Sequence, residues 1–199
     1  MSRSVQTAVL VVLLVAFAPA ASLAGGNANF TIGERALNDE GWEPLEGQLM
    51  FGAAVDWGMD GWPVHLAWGL NVSVDSEDGV YNEDLTAAFA EISFGALWLP
   101  IRDKPFRPYL GAGIASVSAA FEAETYYGVS SDADDQDFGY YANAGVYWRL
   151  GPRFNLGIDL RYGWGTEFNL SFESKFEEQY RVDGDYLAYS LLLGFGWGD

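Results

Sequence analysis

The sequence contains no cysteine and a single histidine, His65, among its 199 residues. The lack of cysteine excludes a disulfide framework, a thiolate metal site and a cysteine nucleophile. One histidine cannot build a zinc site that needs several imidazoles. Basic residues are also scarce, because 10 Lys and Arg stand against 28 Asp and Glu. This acidic balance excludes nucleic acid as a partner, since nucleic-acid binders carry basic surfaces.

Hydrophobic residues, by contrast, make up 50% of the chain and aromatic residues 16%. A disordered acidic chain would not hold so many large apolar side chains. The length fits one folded domain.

The N-terminus carries the features of an export signal. Arg3 precedes an unbroken apolar run over residues 8–18, and Pro19 ends that run. A membrane-spanning helix needs about 20 apolar residues, so the run is too short to be an anchor. Small residues at Ser22 and Ala24 suit signal peptidase. We therefore predict a signal peptide over residues 1–24 and a single domain over residues 25–199.

The rest of the chain alternates between apolar and small or polar residues with a period of two. This pattern predicts strands with one apolar face. Six segments show it clearly, at residues 49–57, 64–73, 88–98, 140–149, 154–163 and 187–197. Residues 29–36 form a shorter candidate. Residues 107–122 change parity part-way, which predicts a β-bulge near Ser116. The total is about eight strands.

The second face of these strands decides between a soluble and a membrane barrel. In a soluble lipocalin-like barrel that face would meet water and carry Lys, Glu and Thr. Here it is mostly Gly, Ala, Ser and Asn, and no lysine lies in a strand body. Small residues suit the interior of a narrow barrel, so the bulky face is expected to point into lipid. A soluble barrel stays the alternative.

The connections alternate between short and long along the chain. Residues 58–63, 100–106 and 151–153 are short, whereas 37–48, 75–85, 125–139 and 165–184 are longer. Outer-membrane barrels have short periplasmic turns and long external loops. The pattern therefore predicts that both termini are periplasmic.

Aromatic residues collect beside the short turns. Amphipathic rings prefer the membrane–water interface, so this placement predicts a periplasmic aromatic girdle. Its members are Trp57, Trp62, Trp98, Trp148, Phe154 and Trp197, with Phe106 and Phe195 at the same level.

Three segments carry a family resemblance: RPYLGAG at 107–113, YWRLGPRF at 147–154 and LGIDLRY at 156–162. On these segments the chain resembles, from about residue 28 to 197, the small eight-stranded outer-membrane proteins, the family of the outer membrane protein A barrel domain and its X and W relatives. The resemblance implies the outer membrane of a Gram-negative bacterium. That family usually ends on an aromatic residue, whereas Gly198 and Asp199 follow Trp197 here.

His65 is the first candidate for chemistry. Some lipid A modifying barrels of this size use a His-Ser-acid arrangement, which raises an enzymatic alternative. Their substrate, however, lies in the outer leaflet, while His65 follows a short turn at the opposite end. No serine lies two residues from it. We predict a structural histidine, with no catalytic residue and no cofactor.

Charged residues on the predicted lumen face are the second candidate. A charge buried in a narrow lumen must be paired. We predict that Glu91, Asp159 and Arg161 form a lumen ion-pair network. Its role is to plug the barrel or to gate small solutes.

The predicted external loops hold most of the acidic residues. The densest cluster comprises Asp132, Asp134, Asp135 and Asp137. Carboxylates suit divalent cations, so these four are weak candidates for a metal site, although the glycine and distal glutamate of an EF-hand loop are missing. Solvation of the surface is the simpler interpretation.

Together these observations predict an all-β protein: one eight-stranded antiparallel up-and-down transmembrane β-barrel, monomeric, among outer-membrane lipid and lipopolysaccharide. The expected role is non-enzymatic, in envelope structure, surface interaction or limited solute passage. The alternatives are a lipid A or phospholipid modifying enzyme and a narrow channel for small solutes.

Overall fold

The computed structural model describes residues 25–59, 61–78, 83–101, 104–125, 130–171 and 179–198. The predicted signal peptide lies outside these residues. A short 3-10 helix, Glu40–Trp42, follows the first strand. The strands are β1 Gly25–Leu37, β2 Gly47–Gly58, β3 Val64–Asp78, β4 Glu83–Trp98, β5 Phe106–Thr125, β6 Ser130–Leu150, β7 Phe154–Trp164, β8 Glu167–Ser171, β9 Gln179–Asp183 and β10 Tyr186–Trp197.

Eight of these strands close into an antiparallel barrel. Their order around it is β1-β10-β7-β6-β5-β4-β3-β2, so each strand lies beside its neighbour in the chain and β1 meets β10. Strands β8 and β9 form a separate two-stranded sheet within the connection from β7 to β10. The predicted eight-stranded up-and-down barrel is confirmed. No helix in the described ranges has the length and apolar composition needed to cross a membrane.

The two faces of the barrel are inverted relative to a soluble protein. On β7, Ile158 and Leu160 point outward and are 56% and 50% exposed. Their neighbours Asn155 and Arg161 point inward and are buried. The same alternation continues on β10. An apolar exterior around a partly polar interior is the pattern of a barrel surrounded by lipid.

Strand β5 runs without the bulge that its sequence predicts. Its pairing with β4 is continuous from Leu110 opposite Trp98 to Thr125 opposite Glu83, and its pairing with β6 is equally regular. Val117 and Ala119 are therefore interior residues, 3% and 1% exposed. The predicted bulge near Ser116 is wrong because the interior itself changes from polar to apolar along the strand.

Several strands also extend further than the sequence pattern indicates. Most of the predicted loop at 125–139 belongs to β6, which begins at Ser130. The predicted loop at 165–184 contains the β8–β9 hairpin. We call the end of the barrel that holds the β2–β3, β4–β5 and β6–β7 connections and both barrel termini the short-turn end. The long-loop end is the opposite end.

Candidate functional site

The middle of the barrel interior is crossed by a buried ion-pair layer centred on Glu91. One carboxylate oxygen, Oε1, lies 2.5 Å from Nη2 of Arg161, and Oε2 lies 3.2 Å from Nη2 of Arg35. Asn71 donates to Oε1 over 3.1 Å, and the Tyr186 hydroxyl donates to Oε2. Glu91 and Arg35 are 0% exposed. Each oxygen of this carboxylate thus has two partners, as a buried charge requires.

The sheet register explains how these groups meet. Asn71 on β3 lies directly opposite Glu91 on β4, so their side chains are neighbours on the interior face. The two arginines reach across the lumen and lie over aromatic rings. The guanidinium carbon of Arg35 is 4.2 Å from the ring centre of Tyr186, and that of Arg161 is 3.7 Å from the ring centre of Tyr141. Such cation–π contacts replace part of the lost hydration.

Of the three residues predicted to form one network, Glu91 and Arg161 are in contact and Asp159 binds elsewhere. Asp159 lies one interior position nearer the short-turn end than Arg161, and alternate strand residues are about 6–7 Å apart. Its Oδ1 accepts hydrogen bonds from the Tyr109 hydroxyl at 2.5 Å and from Asn143 at 2.9 Å. Neutral donors, rather than an arginine fork, hold this carboxylate.

The sequence interpretation misses Arg35 and Tyr186. Arg35 shares parity with Asn27 and Asn29, opposite to Phe30 and Ile32, so alternation alone places it inside. Its strand is only a short candidate in the sequence, which obscures this position. Tyr186 lies at the start of β10, just beyond the alternating segment that the sequence shows.

Above the ion-pair layer, toward the long-loop end, the interior is filled by an apolar plug. Its central rings are Trp42, Phe89 and Phe168, whose centroids are 4.9 to 6.2 Å apart in edge-to-face contacts. Other buried members include Leu45, Met50, Val117, Leu170 and Val182. The first connection and the β8–β9 hairpin therefore fold inward and cover the barrel mouth.

Aspartates from two other parts of the chain hold the β8–β9 hairpin in place. On the β8 edge, Asp137 accepts from the N–H of Glu167 at 2.9 Å, and Asp135 accepts from the N–H of Asn169 at 2.7 Å. On the β9 edge, Asp39 accepts from the N–H of Asp183 at 3.0 Å. These contacts satisfy backbone donors that a free strand edge would expose.

Asp39 also caps the 3-10 helix by accepting from the N–H of Gly41 at 2.7 Å. The N–H groups of Asp183 and Gly41 lower the pKa of the Asp39 carboxyl below its usual 3.8, because both hydrogen bonds favour the ionised form.

The four aspartates considered as metal ligands do not converge on one point within the described residues. Asp135 and Asp137 are engaged with the hairpin, and Asp134 is exposed. The side chain of Asp132 lies outside the described residues. Across the part of the chain that the structure describes, no three acidic or histidine side chains are grouped as a metal site needs. The divalent-cation hypothesis stays a prediction that calcium calorimetry can test.

Below the ion-pair layer lies a cavity of about 80 Å³ with both polar and apolar walls, which we call the polar cavity because polar side chains distinguish it from the apolar plug. Its walls include Asn29, Asn71, Ser93, Asn143, Asp159 and Ser190, and also Ala54, Ala67 and Leu192. The side-chain oxygens of Asn29 and Asn143 have no hydrogen-bond partner among the described residues. These two oxygens provide hydrogen-bond acceptors for ordered water in a cavity of this size.

A second polar cluster closes the interior near the short-turn end. Asp56 accepts from Asn27 at 3.0 Å and contacts Nδ1 of His65 at 2.6 Å. Asn27 also donates to the Tyr147 hydroxyl and accepts from Asn155. His65 lies inside the barrel at this end, as its sequence position indicates. Its Nε2 has no hydrogen-bond partner among the described residues, so no hydroxyl nucleophile is paired with the ring there.

Large aromatic side chains lie on the outer surface at both ends. At the short-turn end, Trp62, Trp98, Trp148 and Phe154 are 57%, 45%, 48% and 63% exposed. Trp57 and Trp197 lie on either side of Gly26 and are half-buried. At the long-loop end the sequence interpretation overlooks a second group, in which Trp164 packs against Tyr140 and Tyr162 with centroids 6.1 and 5.8 Å away.

Comparisons with known proteins agree with this geometry. The family model described as outer membrane protein beta-barrel domain matches residues 7–198. The fold is similar to that of Ail, the attachment invasion locus protein of Yersinia pestis, solved in complex with the heparin analogue sucrose octasulfate. The TM-score is 0.59 at 10% identity, covering 87% of this chain and 98% of Ail. No curated protein matches the sequence.

Two further solved structures show the same fold. A major outer membrane protein from Thermus thermophilus is similar with a TM-score of 0.59 at 11% identity, covering 85% of this chain and 99% of that one. Neisserial surface protein A is similar with a TM-score of 0.50 at 14% identity, covering 88% and 96%.

Proposed function

Because the chain belongs to the outer membrane protein β-barrel family, and so to the bacterial outer membrane, we propose that it is a closed, non-enzymatic barrel that acts through the surface at its long-loop end. The observation that carries this proposal is the filling of the lumen. The ion-pair layer around Glu91 spans the interior, and the apolar plug around Trp42 and Phe168 covers it.

The energetic reason for closure is the cost of opening either layer. Separating Glu91 from its arginines would leave desolvated charges unpaired. Exposing the buried faces of Phe89 and Phe168 to water would lose the free energy that their burial contributes to stability. A solute passing the lumen would have to displace both layers, so the exposed loops are the more accessible functional surface.

The character of that surface indicates which partners it suits. Exposed acidic side chains crowd the long-loop end, among them Glu40, Glu43, Asp134, Glu167 and Asp183. Sucrose octasulfate, the heparin analogue bound to Ail in its crystal structure, is polyanionic, and an acidic surface would repel it. We therefore propose that this chain engages neutral or cationic partners.

Orientation and processing belong to the same proposal. The long-loop end faces outward, both barrel termini face the periplasm, and residues 1–24 are removed on export. Outer-membrane lipid and lipopolysaccharide surround a monomer, with the aromatic residues of the short-turn end at the inner interface. N-terminal sequencing of the mature protein tests the cleavage, and a chain still beginning at Met1 would refute it.

A narrow channel is the second candidate, and the polar cavity below Arg161 favours it. If the ion-pair layer rearranged, this cavity would provide part of a water-filled path. The enzymatic alternative has less support, because His65 is paired with Asp56 at the end opposite the long loops.

Planar-bilayer conductance of the purified protein separates these functions. The closed barrel predicts a protein that inserts, as shown by heat-modifiable mobility on gels, and yet gives no current steps. As a matched pair, Glu91→Ala disrupts the ion-pair layer, whereas Glu122→Ala removes an exposed carboxylate on β5. Discrete steps from the unmodified protein, lost or enlarged in Glu91→Ala alone, would instead establish a gated channel.

A further inference from the structure

A small cavity at the short-turn end is separate from the polar cavity in mid-barrel. Its volume is about 10 Å³, roughly the space of one water molecule. It is lined by Gly25, Gly26, Asn27, His65, Leu99, Arg107, Tyr147, Arg149 and Trp197. Two arginines and the only histidine of the chain thus line one cavity that is large enough for a single water molecule or a single oxygen atom of a ligand.

The histidine presents one ring nitrogen that no described residue pairs with. His65 is 4% exposed, and its Nδ1 lies 2.6 Å from the Asp56 carboxylate. That contact places a proton on Nδ1 and orients the ring. The other nitrogen, Nε2, is buried and has no hydrogen-bond partner among the described residues. A buried polar atom of this kind needs a hydrogen-bond partner, which a water molecule or an anion entering the cavity can supply.

Two glycines make room for the charged groups. A Cβ on Gly58 would lie 2.2 Å from Cδ2 of His65, so the ring occupies the space of the missing side chain. A Cβ on Gly196 would lie 2.3 Å from Nη2 of Arg149. The Arg149 guanidinium therefore crosses the neighbouring strand into the barrel mouth, beside Asn27. Any larger residue at either glycine would displace one wall of the cavity.

We propose that this cavity is a phosphate-binding site, in which one phosphate oxygen enters the opening and the others contact Arg107 and Arg149. Guanidinium groups match the geometry of phosphate oxygens. The Tyr147 hydroxyl accepts from Asn27, so its own proton can be donated to the entering oxygen. His65 contributes Nε2 to the wall of the opening.

Asp56 contacts this group from behind His65. Its charge is shared with Asn27 and the imidazole, and it does not line the opening. The described residues that line the opening include two arginines and no acidic side chain. This site lies outside the ion-pair layer and the apolar plug, so it does not depend on whether the barrel conducts.

The phosphate could come from a lipid headgroup or from free phosphate in solution. The sole histidine gives an unambiguous readout, because ¹⁵N-histidine labelling of the full chain yields signals from one imidazole. In the first arm the protein is held in dodecyl maltoside micelles, which carry no phosphate. Inorganic phosphate is added in steps, and the ¹⁵N chemical shift of Nε2 is measured at each step. A second arm places the protein in phosphatidylglycerol nanodiscs without free phosphate.

A saturable Nε2 shift in micelles would identify a site for soluble phosphate. A shifted Nε2 in nanodiscs alone would identify a headgroup site. In either case Arg149→Gln should weaken the effect about tenfold, the loss expected for one charge-assisted pair. Arg107→Gln provides a second, independent variant should Arg149→Gln fold poorly.

Arg153→Gln is the matched control, since Arg153 lies at the same end over the Phe195 ring and does not line the cavity. It should leave the titration unchanged. An Nε2 signal that phosphate and lipid both leave unmoved would overturn the proposal. Equal weakening by Arg153→Gln and Arg149→Gln would also overturn it, because the effect would then be general surface attraction.

Discussion

The two halves of the barrel interior are stabilised by different physics. Toward the long loops, the apolar plug rests on the ion-pair layer, and its members are packed side chain against side chain. Toward the short turns, side-chain amides, tyrosines and two carboxylates surround a cavity, with Leu97 and Leu192 as a small apolar cluster. In both halves, however, the strands alternate in the same way between exposed outward residues and buried inward ones.

This difference shows that the lipid-facing pattern and the contents of the lumen are independent. Lipid contact requires that the outward residues be apolar and that the backbone be hydrogen-bonded within the closed barrel. The interior can then be filled by burial, by charge pairing or by hydrogen bonds, provided every polar group is satisfied. Function follows from how the interior is filled, because the filling decides whether the barrel conducts.

The largest effect is expected at the boundary between the halves. Glu91→Ala leaves Arg35 and Arg161 buried without their carboxylate, and breaking a buried pair in this way costs about 3–5 kcal/mol. Urea unfolding in lipid vesicles measures the loss. The exposed Glu122→Ala should stay within about 0.5 kcal/mol of the unmodified protein. Equal stability of both variants would mean that the ion-pair layer contributes nothing to the free energy of unfolding.

The next effect tests the apolar half. Phe168 is 0% exposed and packs against Phe89 and Trp42, so Phe168→Ala should cost about 3 kcal/mol through lost burial and a cavity. Trp42 fluorescence should also shift to the red as water enters. Phe138→Ala, at a side chain 68% exposed, removes the same atoms and should cost less than about 1 kcal/mol.

A smaller effect is expected in the polar half. Tyr147→Phe removes one hydrogen bond to Asn27, which is worth about 1 kcal/mol. The exposed Tyr140→Phe serves as its control. If Tyr147→Phe destabilised the barrel as strongly as Phe168→Ala, the polar half would be as tightly packed as the apolar one, and the contrast between the halves would fail.

The smallest effect concerns pH and the hairpin that covers the apolar half. The lowered pKa of Asp39 means that its ionised form stabilises the docked hairpin fully above pH 3.8. That contribution falls as the pH drops below 3.8 and is lost below the lowered pKa. Amide exchange of Asp183 should accelerate in that window. In Asp39→Asn this pH dependence should disappear, whereas Glu43→Gln should retain it.

Much of this architecture could be predicted from the sequence, because alternation reports directly on which face meets lipid. The interior position of Glu91 and Arg161 follows from parity, whereas the up-and-down strand order and the end at which His65 lies follow from the alternation of short and long connections. Alternation carries no information on what fills the lumen, so the apolar Val117 and Ala119 wrongly indicate a change of register. The inward fold of Trp42 and Phe168 depends on tertiary contacts between loops distant in sequence, which no local pattern encodes.

The contrast between the halves is tested most directly by NOEs between water and alanine methyl groups in selectively labelled protein. Ala54 and Ala67 line the polar cavity, whereas Ala87 and Ala188 are buried in the apolar plug at 0% and 1% exposure. We predict water contacts for the first pair and none for the second. Water contacts at Ala87 and Ala188 would show a continuous aqueous path and contradict the closed barrel.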